Sequence, residues 1–454
     1  MKTRAEYDKA LPGWELNRAA IAGQDAVRAA GDTLLPRPAP HDESIENKQR
    51  YASYLSRAVF YPVASRTVTG MAGLAMANPP TIELPPELEH LLECADGAGA
   101  SCSAMTSEAI TELISVGRMG ILSDHASGVV TEADDGGPVL IPYRAEQILS
   151  WFEVMEAGRP KLVHLVLAET HQELADGEVK DIPQRRVLSL EQGLYVMRVF
   201  QKPDAGDFVQ VGDDILPTDG QGQRLDFIPW SWGGAVKNDS RLDKPVISDI
   251  ARMNVAHYVD SADFQESVYL LGQPMVALTG LTQAWADKFF QDQIYLGIRQ
   301  VMLLPEGGSL DIKQAAENTL AEKAMQMKEA QMAALGAMLI TGGGSAKTAE
   351  QIRTETAATQ SALEMVVQNA SDMIQLAISH ANVFTRSVAD FVFEMKPDLR
   401  TRQLDAQLIL AIVQAWQQGA LSVMDRNEMF RSLGMIDPEK TDDEIDEEIR
   451  ANVL

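Results

Sequence analysis

The alternation of apolar and polar positions is most regular in the last third of the chain, where an apolar stripe follows one predicted helix. The stripe advances by alternating steps of four and three residues, and polar residues such as Glu364, Gln368 and Asp372 fall elsewhere on the helix. This spacing is typical of an amphipathic α-helix. No proline interrupts it, which predicts a rod of roughly 45–50 Å. The stripe consists of Ile352, Thr356, Thr359, Leu363, Val366, Ala370, Met373 and Ala377.

A second predicted helix, residues 313–340, precedes this one and is separated from it by a glycine-rich break. It is built largely from Ala and Met, whose small or flexible side chains suit close packing against a neighbour. The break at 341–347 reads Thr-Gly-Gly-Gly-Ser-Ala-Lys. Because consecutive glycines lose much backbone entropy and add no packing, the break indicates a mobile loop or one that approaches another molecule closely.

The first half of the chain alternates between helical and β-type patterns. Helices are predicted over 1–35, over 46–76 with an interruption at Pro62, and over about 104–117. Residues 138–232 change to short β-type runs divided by Gly, Asp and Pro turns, which indicates an antiparallel meander that ends at Trp230-Ser231-Trp232. The predicted strands are Ile121–Leu122, Val139–Tyr143, Lys161–Ala168, Arg186–Leu190, Leu194–Gln201 and Phe208–Val211.

The second half is predicted to be mainly helical, with one small β element before the two long helices. The additional elements are a helix at Val246–Leu271, strands at Met275–Thr279 and Gln300–Leu304 around a short helix at Trp285–Gly297, a helical unit after Pro397, and a helix at Asp425–Leu433. An acidic segment at 437–448 is expected to be a solvated tail. The pattern as a whole predicts an α+β protein that is mainly helical.

The charge balance argues against one class of function. The 454 residues include 65 acidic and 39 basic side chains, for a formal net charge of −26. Proteins that grip nucleic acid neutralise its phosphates with Lys and Arg, and no segment of this chain is rich in those residues. The composition therefore argues against a typical DNA-binding protein, but not against a protein past which DNA must slide.

The composition, the N-terminal residues and the cysteines further limit the class of protein. With 45% hydrophobic and 23% charged residues the chain is expected to be globular. The first residues do not form the apolar core of a secretory signal, and the apolar run Leu408–Val413 is too short to span a bilayer. Cys94 and Cys102 match no zinc-binding spacing and are predicted to be free thiols.

Motifs for catalysis, metal binding and cofactor binding are weak, and none is predicted. Lys347 follows glycines, but a phosphate-binding loop needs Gly directly before the Lys, where Ala346 stands. No pair among the seven histidines has metal-ligand spacing with a third ligand nearby. Asp124-His125 follows a predicted strand, where catalytic residues can lie, but a single acidic–basic pair is close to a chance occurrence. Trp230 and Trp232 are expected to pack in a core or subunit interface.

Six short segments are informative because of their order. They are Tyr51–Tyr61 (YASYLSRAVFY), Arg66–Leu74 (RTVTGMAGL), Gly117–Asp124 (GRMGILSD), Asp249–Tyr258 (DIARMNVAHY), Gln331–Ala337 (QMAALGA) and Ala415–Ser422 (AWQQGALS). Taken together along the chain, these segments resemble the portal proteins of tailed bacteriophages, particularly those of short-tailed phages.

The resemblance implies a virion protein without enzymatic activity or cofactor. It implies a ring, usually of twelve subunits, at one capsid vertex, which is assembled in the host cytoplasm. Double-stranded DNA is packaged and later ejected through the axial channel without sequence specificity. The implied partners are the terminase large subunit, the major capsid or scaffolding protein and tail adaptor proteins, with no membrane.

The resemblance also implies a division of the chain by position into a portal-type fold. The regions are a wing of helices and β meander at 1–240, a first stem helix at 241–272, a β-α-β clip at 273–312, a second stem helix at 313–340, a tunnel loop, long helix and return to the wing at 341–397, and a short helical crown with an acidic tail at 398–454. The clip is the part that would dock the terminase motor and later the tail adaptors.

Three groups of candidate functional residues follow from this mapping. Channel residues expected to face DNA are Gly342, Gly343, Gly344, Ser345, Lys347, Lys323 and Lys328. Clip residues expected to contact terminase or adaptors are Trp285, Lys288, Phe289, Arg299 and Glu306. Stem residues expected at subunit interfaces are Met253, His257, Phe264, Met327 and Met332.

Two other classes of function remain open from the sequence. One is a different virion structural protein, such as a minor head or adaptor protein. Failure of the chain to form a closed ring with a duplex-wide hole would favour this alternative. The other is a soluble enzyme that uses residues 90–235, which would require a convergent pocket of titratable groups.

Overall fold

The chain divides into two units, residues 1–397 and 398–454. The computed structural model describes residues 2–125, 137–175, 177–203, 206–271, 275–280, 282–289, 306–313, 319–332, 335, 349–385, 389–395, 422–432, 440–442 and 444–445. The first unit holds all the sheets described below, and the second contributes one described helix.

Helices fill most of the first 75 residues, and particular residues account for their ends. They are α1 (Ala5–Ala22), α2 (Gln24–Ala29), α3 (Ile45–Arg57) and α4 (Val63–Ala75). Gly23, at φ 95°, separates α1 from α2. The Ser44 side chain caps α3 by accepting a hydrogen bond from the backbone N–H of Asn47, and Pro62 directly precedes α4. The predicted helices over 1–35 and 46–76 are confirmed, with the interruption at Pro62.

A three-stranded antiparallel sheet follows the next helix. The elements are α5 (Cys102–Val116), β2 (Arg118–His125), β3 (Pro138–Arg144) and β9 (Trp230–Gly234), after a short first strand β1 (Thr81–Glu83). The strand order β3-β2-β9 places β2 in the centre, where seven of its eight residues are buried. Gly120 is required here because a Cβ would lie 1.9 Å from Cζ2 of Trp230. The predicted third helix and the strand at Ile121–Leu122 are confirmed.

A second, five-stranded sheet forms the antiparallel meander. Its strands in order are β4 (Ile148–Glu156), β5 (Arg159–Ala175), β6 (Glu178–Glu191), β7 (Leu194–Gln201) and β8 (Val209–Gln210). Three of the predicted runs are confirmed in β5, β6 and β7, and part of a fourth in β8. The pattern did not indicate β4, because register shifts between Ile148 and Ser150 and between Phe152 and Glu153 break its alternation.

The predicted meander was wrong at both of its ends. Val139–Tyr143 and Trp230–Trp232 do form strands, but both pair with β2 rather than with the meander. The reason is that β2, buried along nearly its whole length, needs a partner on each edge to satisfy its backbone polar groups. Trp230 also fills the space that Gly120 leaves open.

The segment after the sheets contains three described helices and a small hairpin of two antiparallel strands. The elements are α6 (Ser248–Leu271), β10 (Met275–Thr279), α7 (Gln283–Phe289), β11 (Ser309–Lys313) and α8 (Leu320–Met332). The helix predicted at Val246–Leu271 and the strand predicted at Met275–Thr279 are confirmed. The strand predicted at Gln300–Leu304 lies outside the described residues.

The expected start of the second stem helix at Lys313 is wrong. Residues 309–313 form β11 instead, which pairs antiparallel with β10 from Met275↔Lys313 to Thr279↔Ser309. The segment Ser-Leu-Asp-Ile-Lys alternates polar and apolar residues, which is the pattern of a strand.

The long helix α9 (Ala349–Val383) confirms the strongest pattern in the chain. It has 35 residues, which corresponds to about 52 Å. Its stripe is buried at Leu363, Val366, Ala370, Met373 and Ala377, each at most 2% exposed, whereas the predicted polar positions are exposed. The side chains of the earlier stripe positions 352–359 lie outside the described residues. The buried stripe contacts β9, β2 and α5, so this part of α9 is a core helix of the first unit.

Two further elements complete the described structure. Strand β12 (Val392–Glu394) pairs antiparallel with β1, which joins the end of the first unit to its beginning. In the second unit α10 (Val423–Ser432) confirms the helix predicted at Asp425–Leu433, and the helical unit predicted before it lies outside the described residues. Helices and antiparallel sheets together confirm the α+β class.

Candidate assembly surface

The helix pair α6–α8 is held by polar contacts between the two helices. Nε2 of His257 lies 3.1 Å from Oε1 of Glu329, and because a carboxylate can only accept, Nε2 carries the proton. One turn further along α6, the Asp260 carboxylate accepts a hydrogen bond from the Lys328 ammonium of α8. The paired positions rise along α6 and fall along α8, as in an antiparallel helix pair. Both ion-pairing side chains are about four-fifths buried, at 23% and 19% exposure.

The opposite side of α6 is fixed to α3. The Tyr54 hydroxyl donates to Oδ1 of Asp263 at 2.7 Å, and the Arg57 guanidinium pairs with Glu266 and lies 4.2 Å from the ring centroid of Tyr269. Together with the contacts to α8, these interactions hold α6 from two sides. A helix held in this way can present a fixed surface to another molecule.

The predicted stem residues fall into two sets. His257 and Met332 are buried within the chain, at 2% and 1% exposure. Met327 is 60% exposed, and Met253 and Phe264 are half-buried. The second set therefore lies where another molecule could reach it, whereas the first contributes to packing inside this chain. The assignment of all five to a subunit interface stays a prediction.

The described members of the predicted clip residues lie in α7 and in the turn before β11. Trp285 is half-buried in α7, with its backbone N–H donating to the Thr282 carbonyl at 3.0 Å. Glu306 is exposed in the turn that precedes β11. Lys288 and Phe289 belong to the last turn of α7, and Arg299 lies outside the described residues. Their role in docking stays a prediction.

The predicted channel residues are described only in part. Gly342, Gly343, Gly344, Ser345 and Lys347 lie outside the described residues. Lys323 is exposed on α8. Lys328 is the cation of the ion pair with Asp260, so its charge is compensated inside the chain. Lys323 is therefore the described lysine of this group whose side chain is exposed to solvent.

An ionic network connects the two sheets, and the sequence did not indicate it. Nη1 of Arg186 donates to Oδ2 of Asp124 at 2.8 Å, and its Nε lies 2.8 Å from Oε1 of Glu169. The Tyr143 hydroxyl donates to the same Glu169 oxygen. Burial raises the pKa of Asp124 above its ordinary value, and Arg186 opposes that rise. The available signal was a carboxylate near the end of a strand whose central residues, Met119–Leu122, are apolar or glycine.

A second unpredicted feature is the position of Arg118 between two indole rings. Its guanidinium carbon lies 4.2 Å from the ring centroid of Trp151 and 4.4 Å from that of Trp232. Nη1 donates to the carbonyls of Ser240 and Arg241. Burial lowers the pKa of Arg118 to about 9. These contacts fix the connection from β9 to α6. Trp232 is a buried core residue, as expected, and Trp151 is buried as well.

Few features of the described residues suggest an enclosed catalytic or ligand-binding site. A groove of about 660 Å³ lies between α9 and β12, and its ionisable lining residues are Asp372 and Glu394. It lies outside the 90–235 region considered for an enzyme. Within the described ranges, no group of three or more His, Cys, Asp or Glu residues is placed to hold a metal ion. None of the described helices is both long and apolar enough to cross a membrane.

Residues 246–385, from α6 to the end of α9, match a family model described as "Domain of unknown function (DUF4055)". This is less than half of the chain. No curated protein matches the sequence.

Two solved structures are similar over much of the chain. One is the neck of an empty GTA particle computed with C6 symmetry, at TM-score 0.43 and 16% identity. The other is the neck of a native GTA particle computed with C12 symmetry, at TM-score 0.43 and 15% identity. Each match covers 82% of this chain and 90% of the other. Similarity at this level leaves the function to be inferred from the residues of this chain.

Proposed function

We propose that this chain is a portal-type subunit of a phage head-to-tail connector, which assembles into a ring around double-stranded DNA. The observation that carries the proposal is the order of elements from residue 248 to 383. Two packed helices, α6 and α8, are joined through the β10–β11 hairpin and followed by the long helix α9, which is anchored in the body of the first unit. This arrangement suits a stem that ends in a projecting clip.

The electrostatics are compatible with a channel for a sliding duplex. A protein that must not retain DNA should make few phosphate contacts, since each contact adds affinity through counterion release. A subunit with a net charge of −26 meets this requirement. In our proposal the 341–347 break and Lys323 face the channel, and the clip around Trp285 and Glu306 docks the terminase and later the tail adaptors.

The mapping of the remaining regions belongs to the same proposal. Residues 1–240 form the wing and 398–454 the crown of a virion protein that is assembled in the host cytoplasm. The ring contains twelve copies, as the resemblance to portal proteins implies. Closed rings arise from heterologous contacts, in which one face of a subunit meets a different face of the next.

The test is the mass and shape of the purified chain. Twelve copies of a 49.6 kDa chain correspond to about 595 kDa, which light scattering resolves from a monomer or dimer. Negative-stain electron microscopy should show rings with a central hole wide enough for a duplex. Open or irregular assemblies that bind to capsid or tail components would favour another virion structural protein. A stable dimer without rings would contradict the proposal.

A further inference from the structure

The hairpin of β5 and β6 extends beyond the rest of its sheet. Strand β4 pairs with β5 only as far as Leu167, and β7 pairs with β6 only from Gln184 onward. Residues 171–175 of β5 and 178–182 of β6 therefore pair only with each other, and the Pro183 carbonyl at the base of this ribbon also accepts a hydrogen bond from the Lys202 N–H. We call residues 170–175 and 177–183 the β arm. A two-stranded ribbon of this kind is marginally stable in water unless it packs against something else.

The end of the β arm combines apolar exposure with acidic charge. Leu174 and Val179 are register partners that are 73% and 65% exposed, although they are large aliphatic side chains. The exposed carboxylates Glu173, Glu178 and Asp181 lie close to them in the ribbon, together with one cation, Lys180, which is the register partner of Glu173. An exposed aliphatic pair with an acidic rim fits a partner surface that offers an apolar contact flanked by cations.

A surface of that kind occurs on the same chain, in the connection between β9 and α6. Val236 is 58% exposed, and the exposed cations Lys237, Arg241 and Lys244 lie close to it in sequence, with Asp239 and Asp243 between them. We call residues 236–244 the basic loop. In a chain of net charge −26 most of the surface would repel an acidic arm, whereas in this loop three cations outnumber two carboxylates. Lys237 and Lys244 pair with Asp239 and Asp249. Exposed pairs of this kind are weak, so these cations can exchange their partners for the carboxylates of the arm.

The basic loop is held beside the start of β5, far from the β arm. The Ser240 hydroxyl donates to Oε2 of Glu153 at 2.6 Å, and Glu153 is the register partner of Leu162. From Leu162 to Leu174 the strand advances twelve residues, which is about 40 Å at the usual rise. The β arm therefore does not reach the basic loop of its own chain, and a contact between them must join two copies.

We propose that the β arm of one subunit docks on the basic loop of the next, with Leu174 and Val179 against Val236 and the arm carboxylates near Lys237 and Lys244. The two surfaces are different patches at opposite ends of one sheet, so the contact is heterologous and suits ring closure. This inference rests on the proposed ring and assigns a lateral contact to it outside the stem.

A cysteine pair tests the contact directly. In the full chain with Leu174→Cys and Val236→Cys, mild oxidation should link neighbouring subunits, because a disulfide needs Cα atoms within about 7 Å. The separation within one chain excludes an internal bridge. Denaturing electrophoresis should then show a ladder that extends to large multiples of the subunit mass. Each variant with only one of the two substitutions should give no ladder, which also controls for the native Cys94 and Cys102.

Charge and apolar variants provide a second readout. One variant combines Lys237→Glu with Lys244→Glu, and another carries Leu174→Glu alone. Each should raise the protein concentration needed for assembly by at least about tenfold. Lys48→Glu and Met155→Glu are the matched controls, because Lys48 is 57% and Met155 71% exposed outside the proposed contact. Adding Glu173→Lys and Glu178→Lys to the loop variant should restore assembly.

The outcomes separate this contact from the proposed function. A ladder together with selective loss of assembly supports the contact. Rings that form normally but give no ladder, and that tolerate the loop and arm variants, overturn the contact and leave the connector proposal standing. Crosslinked dimers alone indicate a symmetric contact between arms and also overturn it. A chain that forms neither rings nor a ladder contradicts both proposals.

Discussion

At the scale of single residues, the tightest packing constraint is the contact of Gly120 with Trp230. A Cβ at position 120 would lie 1.9 Å from Cζ2 and 2.5 Å from Cη2 of the indole, which is itself buried. The change Gly120→Ala therefore forces either β2 or β9 to move. We expect the free energy of unfolding to fall by roughly 1–3 kcal/mol or more, as for other overpacked cores. Chemical denaturation measures this change.

The matched control is a glycine with free space around it. Gly73 lies in α4, and a Cβ there would meet nothing within 4 Å. Gly73→Ala should leave the stability unchanged or raise it by about 0.5–1 kcal/mol, because alanine restricts the unfolded chain. Equal effects of the two substitutions would show that the indole contact has no special role.

A second residue-scale prediction concerns His380 near the end of α9. Its ring lies 5.3 Å from that of Phe227, and its Nδ1 is 3.4 Å from the Ser231 hydroxyl. Burial lowers the pKa of His380 from its ordinary value of 6.5 to about 4. Between these two pH values the unfolded chain binds a proton that the folded chain does not, so the free energy of unfolding decreases as the pH falls.

Through this group alone, the free energy of unfolding should fall by roughly 3 kcal/mol by pH 4. The variant His380→Gln should lose less stability than the wild type between pH 7 and pH 4, because the carboxylates common to both chains cancel in the comparison. Denaturant titrations at several pH values measure the difference. Parallel curves for the two proteins would mean that His380 does not carry this pH dependence.

At the scale of elements, the ion pair Lys328–Asp260 should couple α6 to α8. Both side chains are about four-fifths buried, so the pair is less screened than a surface pair. A double-mutant cycle with Lys328→Ala and Asp260→Ala should give a coupling energy of about 1–2 kcal/mol. The exposed pair Lys48–Glu43, at 57% and 69% exposure, is the control and should give less than about 0.5 kcal/mol. Similar values for both pairs would contradict this prediction.

The elements differ in how far the sequence predicts them. The stripe of α9 is regular because one face of a long helix lies against β9, β2 and α5, so its pattern is visible without knowledge of the partners. The strand β4 was missed because two register shifts interrupt its alternation. The last residue of β11, Lys313, was assigned to a helix and the rest of the strand was not predicted, although Ser309–Lys313 alternates correctly, since the neighbouring helical pattern was extended too far.

The candidate site shows the same division between local and long-range information. Placing Trp285 and Glu306 beside a hairpin needs only local pattern. The burial of His257 depends on its packing between α6 and α8 and its contact with Glu329, 72 positions away. The contact between Arg186 and Asp124 joins two sheets. Such pairings between distant residues are set by the topology of the fold, and a single sequence does not indicate them.

At the scale of the whole molecule, the net charge and the proposed ring together determine how strongly DNA would be retained. A net charge of −26 on each subunit makes strong retention of DNA unfavourable. Repeated around a ring, that charge would keep a duplex centred by repulsion and would leave any weak attraction to a few cations such as Lys323. The β arm, by contrast, would use local attraction between unlike charges to join subunits that repel one another overall.

The strength of DNA binding follows from this charge. Assembled protein should bind duplex DNA no more tightly than about 10⁻⁶ M at physiological salt, the tight end of ordinary non-specific binding. Fluorescence anisotropy with a labelled duplex measures this affinity. Tight binding by the unmodified protein would contradict the idea of a sliding channel.

A pair of charge variants then tests whether α9 faces the duplex, as its assignment to the tunnel region implies. Glu364 and Asp372 lie on its exposed side, and Glu364→Lys with Asp372→Lys should strengthen binding and steepen its salt dependence, because each new phosphate contact releases a counterion. Asp207→Lys with Asp213→Lys changes the net charge equally at exposed loop positions of the first unit. If α9 lines the channel, only the first pair increases the affinity. An equal increase for both pairs would mean that DNA responds to total charge alone, and α9 would then be an ordinary body helix whose exposed side faces solvent.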